Sequence, residues 1–182
     1  MLGGTLMSPA ERDTRIENTL GDPVEFFYTE HASIVDWCHS LAILAEDPTA
    51  DDAPRLAASL LEFLDETLPR HIADEEEELF PRLKKRAPHD ERLMSVIEQL
   101  QMEHHEDVEH GQALHDSLEG LAYGRAISEP ALFAAFVRVF TMLQRRHQTL
   151  ENNVVLPAAF EYLDANDREV LAHSMLARRS TS

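Results

Sequence analysis

The sequence predicts an all-α chain that folds as an up-down-up-down four-helix bundle with a short extra helix near the C-terminal end. Long stretches carry apolar residues three and four positions apart, which is the spacing of one face of an α-helix. Strand-like alternation bounded by turn residues is missing, and only six glycines occur in 182 residues. Prolines and polar loop clusters divide the periodic stretches into four long segments, as a bundle requires.

The first helix is predicted to begin at Asp22 and to run to about Glu46. Asp22 offers an N-cap, Pro23 fits the first turn, and Glu25 places negative charge at the positive end of the helix. Residues 1–21 lack the apolar stretch of a secretory signal and are expected to form a loosely ordered tail. The inward-facing residues of this helix are expected to be Phe27, His31, Ile34, Val35, Cys38 and Leu41.

The second helix is predicted to run from Pro54 to about Arg86, after a linker that contains Pro48 and several aspartates. Pro69 and Pro81 have no N–H to donate, so we expect them to interrupt the hydrogen-bond ladder and to kink the helix. Its inner face is expected to carry Leu60, Leu64, Leu68, His71, Glu75 and Leu79.

Ala87 and Pro88 are predicted to open a third helix, which a glycine-containing segment ends. Ser128 and Pro130 are predicted to start the fourth helix, which has the most apolar face of the chain. A short fifth helix over roughly residues 167–178 is expected to pack across one end of the bundle. The inner positions are expected to include Leu93, Ile97, Leu100 and His104 in the third helix and Phe133, Phe140, His147 and Glu151 in the fourth.

Composition indicates one domain of ordinary globular type, with 43% hydrophobic and 27% charged residues. We divide the chain into a tail (residues 1–21), the bundle (22–160) and a C-terminal helix with its tail (161–182). The formal net charge of −18 repels phosphate backbones and anionic lipids, so neither nucleic acid nor a membrane is an expected partner. Cys38 is the only cysteine, which excludes disulfide scaffolds within one chain and favours a cytoplasmic location.

One histidine stands on the inner face of each long helix. An imidazole among leucine, valine and phenylalanine side chains costs desolvation free energy unless its ring nitrogens find partners. A single buried histidine is usually a hydrogen-bonded core residue, but four that converge favour a metal site. The four are His31, His71, His104 and His147.

Two of these histidines are followed one turn later by a glutamate, in the segments His71-Ile-Ala-Asp-Glu75 and His147-Gln-Thr-Leu-Glu151. Residues four apart on a helix project side by side, so each pair can hold one site. The spacing by itself is weak evidence because it also arises by chance. The position of both pairs on the apolar face is the stronger indication.

The charged neighbours of the candidate residues have simpler interpretations. His105 lies on a polar face and is expected to be solvated, whereas His115 lies at the edge of the apolar face. Glu76, Glu77 and Glu78 are expected to be solvated because the helix rotates them away from the inner face, although a hydrogen bond to a ligand imidazole is an alternative.

An internal repeat strengthens the interpretation. Both His-x-x-x-Glu segments are followed by an apolar pair and a proline, Pro81 and Pro157, ten residues after the histidine. In the first and third helices a glutamate directly precedes the histidine, at Glu30 and Glu103. The chain is therefore predicted to consist of two similar helical hairpins, which a pseudo-twofold bundle brings together around one site.

Four imidazoles and two carboxylates are a donor set that suits a first-row transition metal. Structural zinc is disfavoured because thiolates are missing, and calcium or magnesium would need a cage of oxygen ligands. Iron or manganese is therefore favoured, and if both glutamates bridge, each metal keeps one open position for a small ligand. The candidate ligands are His31, His71, Glu75, His104, His147 and Glu151.

With this pattern the chain resembles the hemerythrin HHE cation-binding family, which carries His, His-x-x-x-Glu, His and His-x-x-x-Glu on four successive helices. The resemblance covers about residues 22–160 and is most specific over residues 71–81. It implies an oxo- or hydroxo-bridged non-haem di-iron centre, for which manganese or zinc are substitutes. Carried over to this sequence, His31 and His71 bind one iron, His104 and His147 bind the other, and Glu75 and Glu151 bridge them.

The resemblance also implies a small-molecule ligand such as dioxygen, peroxide or nitric oxide, which the protein binds, senses or scavenges, or alternatively a role in iron storage. Oxygen-carrying hemerythrins use five histidines and end in His-x-x-x-x-Asp, so the present pattern weakens the case for reversible oxygen carriage. Two alternatives stay open. One is a di-iron redox enzyme acting on peroxide, although the Glu-x-x-His motif of ferritin-like enzymes is absent. The other is a metal-free helical interaction protein.

Overall fold

A computed structural model of the protein describes residues 22–180, without the side chains of residues 107–109. The predicted tail over residues 1–21 lies outside the described residues. Every regular element between residues 22 and 180 is helical, so the all-α prediction is confirmed. The helices are α1 (Pro23–Glu46), α2 (residues 53–86), α3 (Glu91–Ala122), α4 (residues 130–162) and α5 (Ala165–Ser180).

Helix α1 begins as the sequence predicts. The carboxylate of Asp22 accepts a hydrogen bond of 2.9 Å from the Val24 N–H, which satisfies one of the free donors of the first turn. One expectation for its inner face is wrong, since Val35 is 39% exposed and the adjacent Ile34 is buried. The apolar face is therefore narrower than the sequence suggested.

Helix α3 begins later than predicted. Ala87 does not open it but ends α2, with its N–H on the Leu83 carbonyl at 2.8 Å, and Pro88 lies in the turn that follows. The N-cap is Asp90, whose carboxylate accepts a 3.0 Å hydrogen bond from Leu93 N. A capping side chain thus decided the start of α3, because it satisfies a helix donor that a proline leaves open.

Three π-helical turns interrupt α2 and α4, and each begins six residues before a proline. A proline cannot donate to the carbonyl four residues earlier, and its ring collides with that carbonyl in a regular α-helix. In all three cases that carbonyl lies inside the wider π turn, which accounts for the two interruptions predicted in α2 and for the third, in α4. The π turns are Phe63–Thr67 before Pro69, Glu75–Leu79 before Pro81 and Glu151–Val155 before Pro157.

Two apolar cores fill the bundle, one toward each end. The first core joins the start of α1, the end of α2, the start of α3 and the end of α4, and the second core joins the opposite ends. This alternation is that of an up-down-up-down bundle. Representative residues are Phe27, Phe80, Leu100 and Leu156 in the first core and Trp37, Leu60, Leu118 and Phe140 in the second.

Helix α5 closes the end of the bundle that contains the first core. It contributes Leu171 and Met175, both fully buried, to that core. Each fully buried apolar side chain of this size contributes roughly 1.5–3 kcal/mol, so α5 is held by packing as well as by ion pairs. Among the described helices, none is sufficiently long and apolar to cross a membrane.

Candidate metal centre

Four imidazole rings and two carboxylates meet in the middle of the bundle, between the two apolar cores. All six residues are at least 95% buried, and each imidazole directs its Nε2 atom toward a carboxylate. The shortest of these distances are 3.2 Å from His31 Nε2 to Glu151 Oε2, 3.4 Å from His71 Nε2 to Glu75 Oε1, 3.4 Å from His104 Nε2 to Glu75 Oε2 and 3.2 Å from His147 Nε2 to Glu151 Oε1.

The six residues form two overlapping groups, each of which offers ligand atoms that all lie within 4.8 Å of one another. We call His31 with His71 the first half site, and His104 with His147 the second half site. Glu75 and Glu151 belong to both groups. Two four-residue groups that share both carboxylates have the arrangement of a site for two adjacent cations.

The two shared glutamates occupy equivalent positions in the fold. Glu75 is the first residue of one π turn in α2, and Glu151 is the first residue of another in α4. Each glutamate follows its histidine by four residues, so the pair lies on the same helix face. The prolines that follow therefore help to place both carboxylates, because they set where each π turn forms.

The carboxylates lack the hydrogen bonds that buried anions require. Neither oxygen of Glu75 or Glu151 accepts a hydrogen bond of acceptable geometry, and His31 Nε2 is equally without a partner. Both glutamates are 0% exposed. The facing imidazoles are the groups that offset these two buried negative charges, and a buried carboxylate is strongly destabilising without such an offset, so the donor set fits bound cations at this point.

The charges of the site act strongly on one another. Burial lowers the pKa of His31, but the carboxylates of Glu151 and Glu75 outweigh burial and raise that pKa to about 10. Burial likewise lowers the pKa of His147, but Glu151 and Glu103 raise it to about 11. Burial raises the pKa of Glu151, yet His147 and His31 hold it well below its usual range. The pocket therefore attracts cations, and protons compete with metal for it.

The Nδ1 atoms of the four imidazoles point outward and each finds an oxygen acceptor. His31 contacts the Asn152 amide oxygen, His71 contacts Glu30, His104 contacts Glu76 and His147 contacts Glu103. These partners keep the proton on Nδ1 and leave the Nε2 lone pair directed into the site, which is the usual support of a metal-binding histidine. The Nδ1 to oxygen distances are 2.7, 3.1, 2.7 and 3.0 Å in the same order.

Residues 22–159 match the family described as hemerythrin HHE cation binding domain, which accounts for most of the chain. The chain belongs to the hemerythrin HHE cation-binding family. A comparison with curated proteins finds no match. The family match contains all six clustered residues and ends before α5, so the contacts that α5 makes are features of this chain beyond the shared domain.

Helix α5 contacts the cluster of four histidines and two glutamates, which we call the HHE site, through a buried arginine. Arg179, 8% exposed, donates to Glu30 Oε1 at 2.7 Å and to Asp74 Oδ2 at 2.6 Å. Glu30 in turn accepts from His71 Nδ1. Burial raises the pKa of Glu30, but hydrogen bonds and charge from His71 and Arg179 lower it overall, so this carboxylate stays ionised beside the His71 imidazole.

Apolar rings shield the HHE site from solvent. Phe27 meets His71 edge-on at 5.8 Å, and Phe80 stacks on His104 at 6.0 Å between ring centroids. A cavity of about 10 Å³, room for one water-sized molecule, lies beside His71, His104 and His147. Gln148 lines this cavity with both amide atoms buried and without hydrogen-bond partners.

Several supporting residues were not predicted as part of the site. Glu30 and Glu103 appeared in the sequence only as repeat markers, and nothing in it indicated Asn152 or Arg179. Glu76 was expected to be solvated, but it supports His104, which the sequence left as an alternative. The π turn that begins at Glu75 changes the rotation of the following residues and explains that difference.

The remaining histidines and the nearby tyrosine lie outside the cluster. His105 is exposed as expected, and His115 is half-buried, with Nε2 at 3.6 Å from Asp65. Tyr28 is 37% exposed, stacks on Phe160 and donates a 3.4 Å hydrogen bond to the Asn152 carbonyl. Its hydroxyl therefore lies on the outer side of the residue that supports His31.

Proposed function

We propose that the protein binds two iron ions as a non-haem di-iron centre. The observation that carries the proposal is the pair of overlapping ligand groups, in which Glu75 and Glu151 each serve both half sites. The ligands proposed are the residues His31, His71, Glu75, His104, His147 and Glu151. Nitrogen and carboxylate donors without thiolate favour iron or manganese over structural zinc.

When bound, such a centre supplies redox chemistry and a place for a small ligand. The chain contributes a shielded pocket, because Phe27 and Phe80 pack directly against ligand imidazoles. The outward hydrogen bonds hold each ring in one orientation and tautomer. These contributions orient the ligands and limit access by bulk water.

We propose that the physiological ligand is a small molecule such as dioxygen, peroxide or nitric oxide, which the protein binds, senses or scavenges. The size of the cavity beside three of the histidines supports this class of ligand, since about 10 Å³ admits only a very small molecule. The buried and unpartnered amide of Gln148 offers such a molecule a hydrogen bond. The single buried cysteine, Cys38, agrees with the cytoplasmic location that we also propose.

The test is reconstitution of the full chain with ferrous iron under anaerobic conditions, followed by iron analysis and Mössbauer spectroscopy. The expected result is two irons per chain in the wild type. His104→Ala should lose at least one iron, whereas His105→Ala, which removes an exposed imidazole one residue away, should keep both. A wild-type chain that takes up no iron, or equal loss in both variants, would contradict the proposal.

The ligand class is tested on the same preparation. Addition of dioxygen, hydrogen peroxide or nitric oxide in turn to the ferrous protein should change its visible spectrum for at least one of the three. An unchanged spectrum with all three, in a protein shown to hold two irons, would refute the proposed ligand class and leave iron storage as the function.

A further inference from the structure

The two half sites are related by the internal repeat, and their outer hydrogen bonds follow the same repeat. The glutamate before the histidine of α1, Glu30, supports the histidine of α2, and the glutamate before the histidine of α3, Glu103, supports that of α4. The residue after each shared glutamate supports the remaining imidazole. At this last position the repeat is broken, because α2 carries Glu76 and α4 carries Asn152.

We infer that this difference makes the two half sites unequal, so that the second half site, His104 with His147, binds metal first and more tightly. The inference rests on the proposed two-metal function. It assigns to Glu76 and Asn152 the role of positioning residues, which act on the metal through His104 and His31. It follows that the metal at the first half site is bound more weakly and accepts a small anionic ligand more readily.

The contact of Glu76 with His104 and that of Asn152 with His31 have the same length and differ in the charge of the acceptor. The Nδ1 to oxygen distance is 2.7 Å both from His31 to Asn152 and from His104 to Glu76. An imidazole that donates to a carboxylate is a more basic ligand than one that donates to a neutral amide, and hydrogen bonds to an ionised acceptor are roughly twice as strong. His104 is therefore the stronger metal ligand of the two.

Glu76 is held in place for this contact. Its other carboxylate oxygen accepts a hydrogen bond of 2.5 Å from the Gln101 side-chain amide, and Gln101 in turn accepts from Lys84 Nζ at 2.6 Å. The carboxylate therefore has both oxygens engaged, one on the ligand imidazole and one on a neighbour in α3. A side chain with 26% exposure would otherwise rotate freely in solvent.

The charges around the two remaining carboxylates add to the same inequality. Glu30, behind the first half site, is paired with Arg179, whose side chain is 5% exposed. Glu103, behind the second half site, is paired with Arg146, whose side chain is 57% exposed. Arg179 also pairs with the buried Asp74, whose charge Arg178 offsets at 2.7 Å. A buried cation offsets a carboxylate more than a solvated one does, so the second half site keeps more negative charge.

The experiment is a titration of the metal-free full chain with Co²⁺ by calorimetry and visible spectroscopy. The wild type should bind two Co²⁺ in two separated steps. Glu76→Gln, which is isosteric, should weaken the first step by about tenfold, since loss of such outer partners typically costs 10- to 100-fold in metal affinity. Asn152→Asp, also isosteric, should strengthen the weaker step, so that either single variant brings the two steps together.

The double variant Glu76→Gln with Asn152→Asp separates a charge effect from simple structural damage. It should reverse the order of the two steps, with a smaller separation than in the wild type because the pairs of Glu30 with Arg179 and of Glu103 with Arg146 are unchanged. After one equivalent of Co²⁺, the paramagnetically shifted imidazole N–H signals should belong to His104 and His147 in the wild type and to His31 and His71 in the double variant. A purely structural role would not produce this reversal.

The matched controls are Glu77→Gln and Asn153→Asp, which make the same charge changes at adjacent exposed positions. Two equal steps in the wild type, or effects of Glu76→Gln and Asn152→Asp no larger than those of the controls, would overturn the inference while leaving the two-metal proposal intact. Binding of fewer than two Co²⁺ per wild-type chain would instead overturn the proposed function on which the inference rests.

Discussion

Replacement of Arg179 by methionine tests whether α5 is part of the support of the site. The guanidinium donates to two buried carboxylates, Glu30 and Asp74, which are 8% and 0% exposed. Arg179→Met keeps most of the aliphatic length but leaves both anions without this partner. Loss of one partner of a buried ion pair costs about 3–5 kcal/mol.

The loss is expected at the lower end of that range, about 3 kcal/mol. Asp74 keeps a second arginine, Arg178, at 2.7 Å, and Glu30 keeps His71 at 3.1 Å. Burial raises the pKa of Asp74 and outweighs Arg179, so this carboxyl is the one that takes up a proton when the arginine is removed. At 2–4 °C per kcal/mol for a chain of this size, Tm should fall by roughly 6–12 °C.

Urea unfolding of the metal-free chain, followed by helical circular dichroism, measures the change. Arg178→Met is the comparison variant, since its side chain is 20% exposed and its removal leaves the buried Asp74 with Arg179; it should cost about 1 kcal/mol or less. Asp74→Asn in the Arg179→Met background should recover part of the loss, because it removes one stranded charge. The destabilisation by Arg179→Met should also shrink as pH falls and Asp74 becomes protonated.

An Arg179→Met variant that loses less than about 1 kcal/mol, or no more than Arg178→Met, would refute this reasoning. Failure of Asp74→Asn to recover any stability would refute it as well, since the loss would then come from packing rather than from unpaired charge.

Three further predictions concern the ligand imidazoles, the cavity and the second core. Because the pKa of His31 is raised to about 10, the protonated imidazole stabilises the metal-free chain below pH 6.5, and this stabilisation is lost as pH rises toward 10. Metal binding improves over the same range, so the Tm difference between metal-loaded and metal-free protein should widen from pH 6.5 to 9 in calorimetry. A constant difference would contradict this prediction. Gln148→Leu removes two buried unpartnered amide atoms, so it should raise metal-free stability by about 1 kcal/mol in urea unfolding, and a less stable variant would show that the amide has a partner. Trp37→Ala should lower the free energy of unfolding by about 3–5 kcal/mol in the same measurement, because the fully buried ring stacks on Phe63 and donates a 3.0 Å hydrogen bond to the Leu60 carbonyl. A loss below about 2 kcal/mol would mean that neighbouring side chains of the second core fill the cavity.

The periodic spacing of apolar residues predicted most of the fold, because an amphipathic helix must bury its apolar face and four such helices have few ways to do so. It predicted the four long helices, the N-cap at Asp22 and the breaks before Pro69 and Pro81. It did not predict that α3 begins only after the N-cap Asp90 or that Val35 faces solvent. Those details depend on competition between nearby caps and on the exact rotation of a helix against its neighbours.

The candidate ligands were predictable for a related reason. A histidine on an apolar face is costly without a partner, so the four inward imidazoles and their spaced glutamates stood out against the leucines around them. The structure brings all six side chains together and divides them into two groups that share Glu75 and Glu151. Metal binding by these residues stays a prediction until it is measured.

The sequence by itself thus determined which helices form and which polar side chains must meet inside them, because both follow from local periodicity and the cost of burying polar groups. Only the tertiary structure decided which side chain forms a hydrogen bond with the Nδ1 atom of each imidazole. Glu76 is turned toward His104 by a π turn, and Asn152 reaches His31 across 121 residues of chain. Arg179 reaches Glu30 from a helix 149 residues away. Such contacts join residues with no common spacing, and distances across a folded interior leave no periodic trace in the sequence.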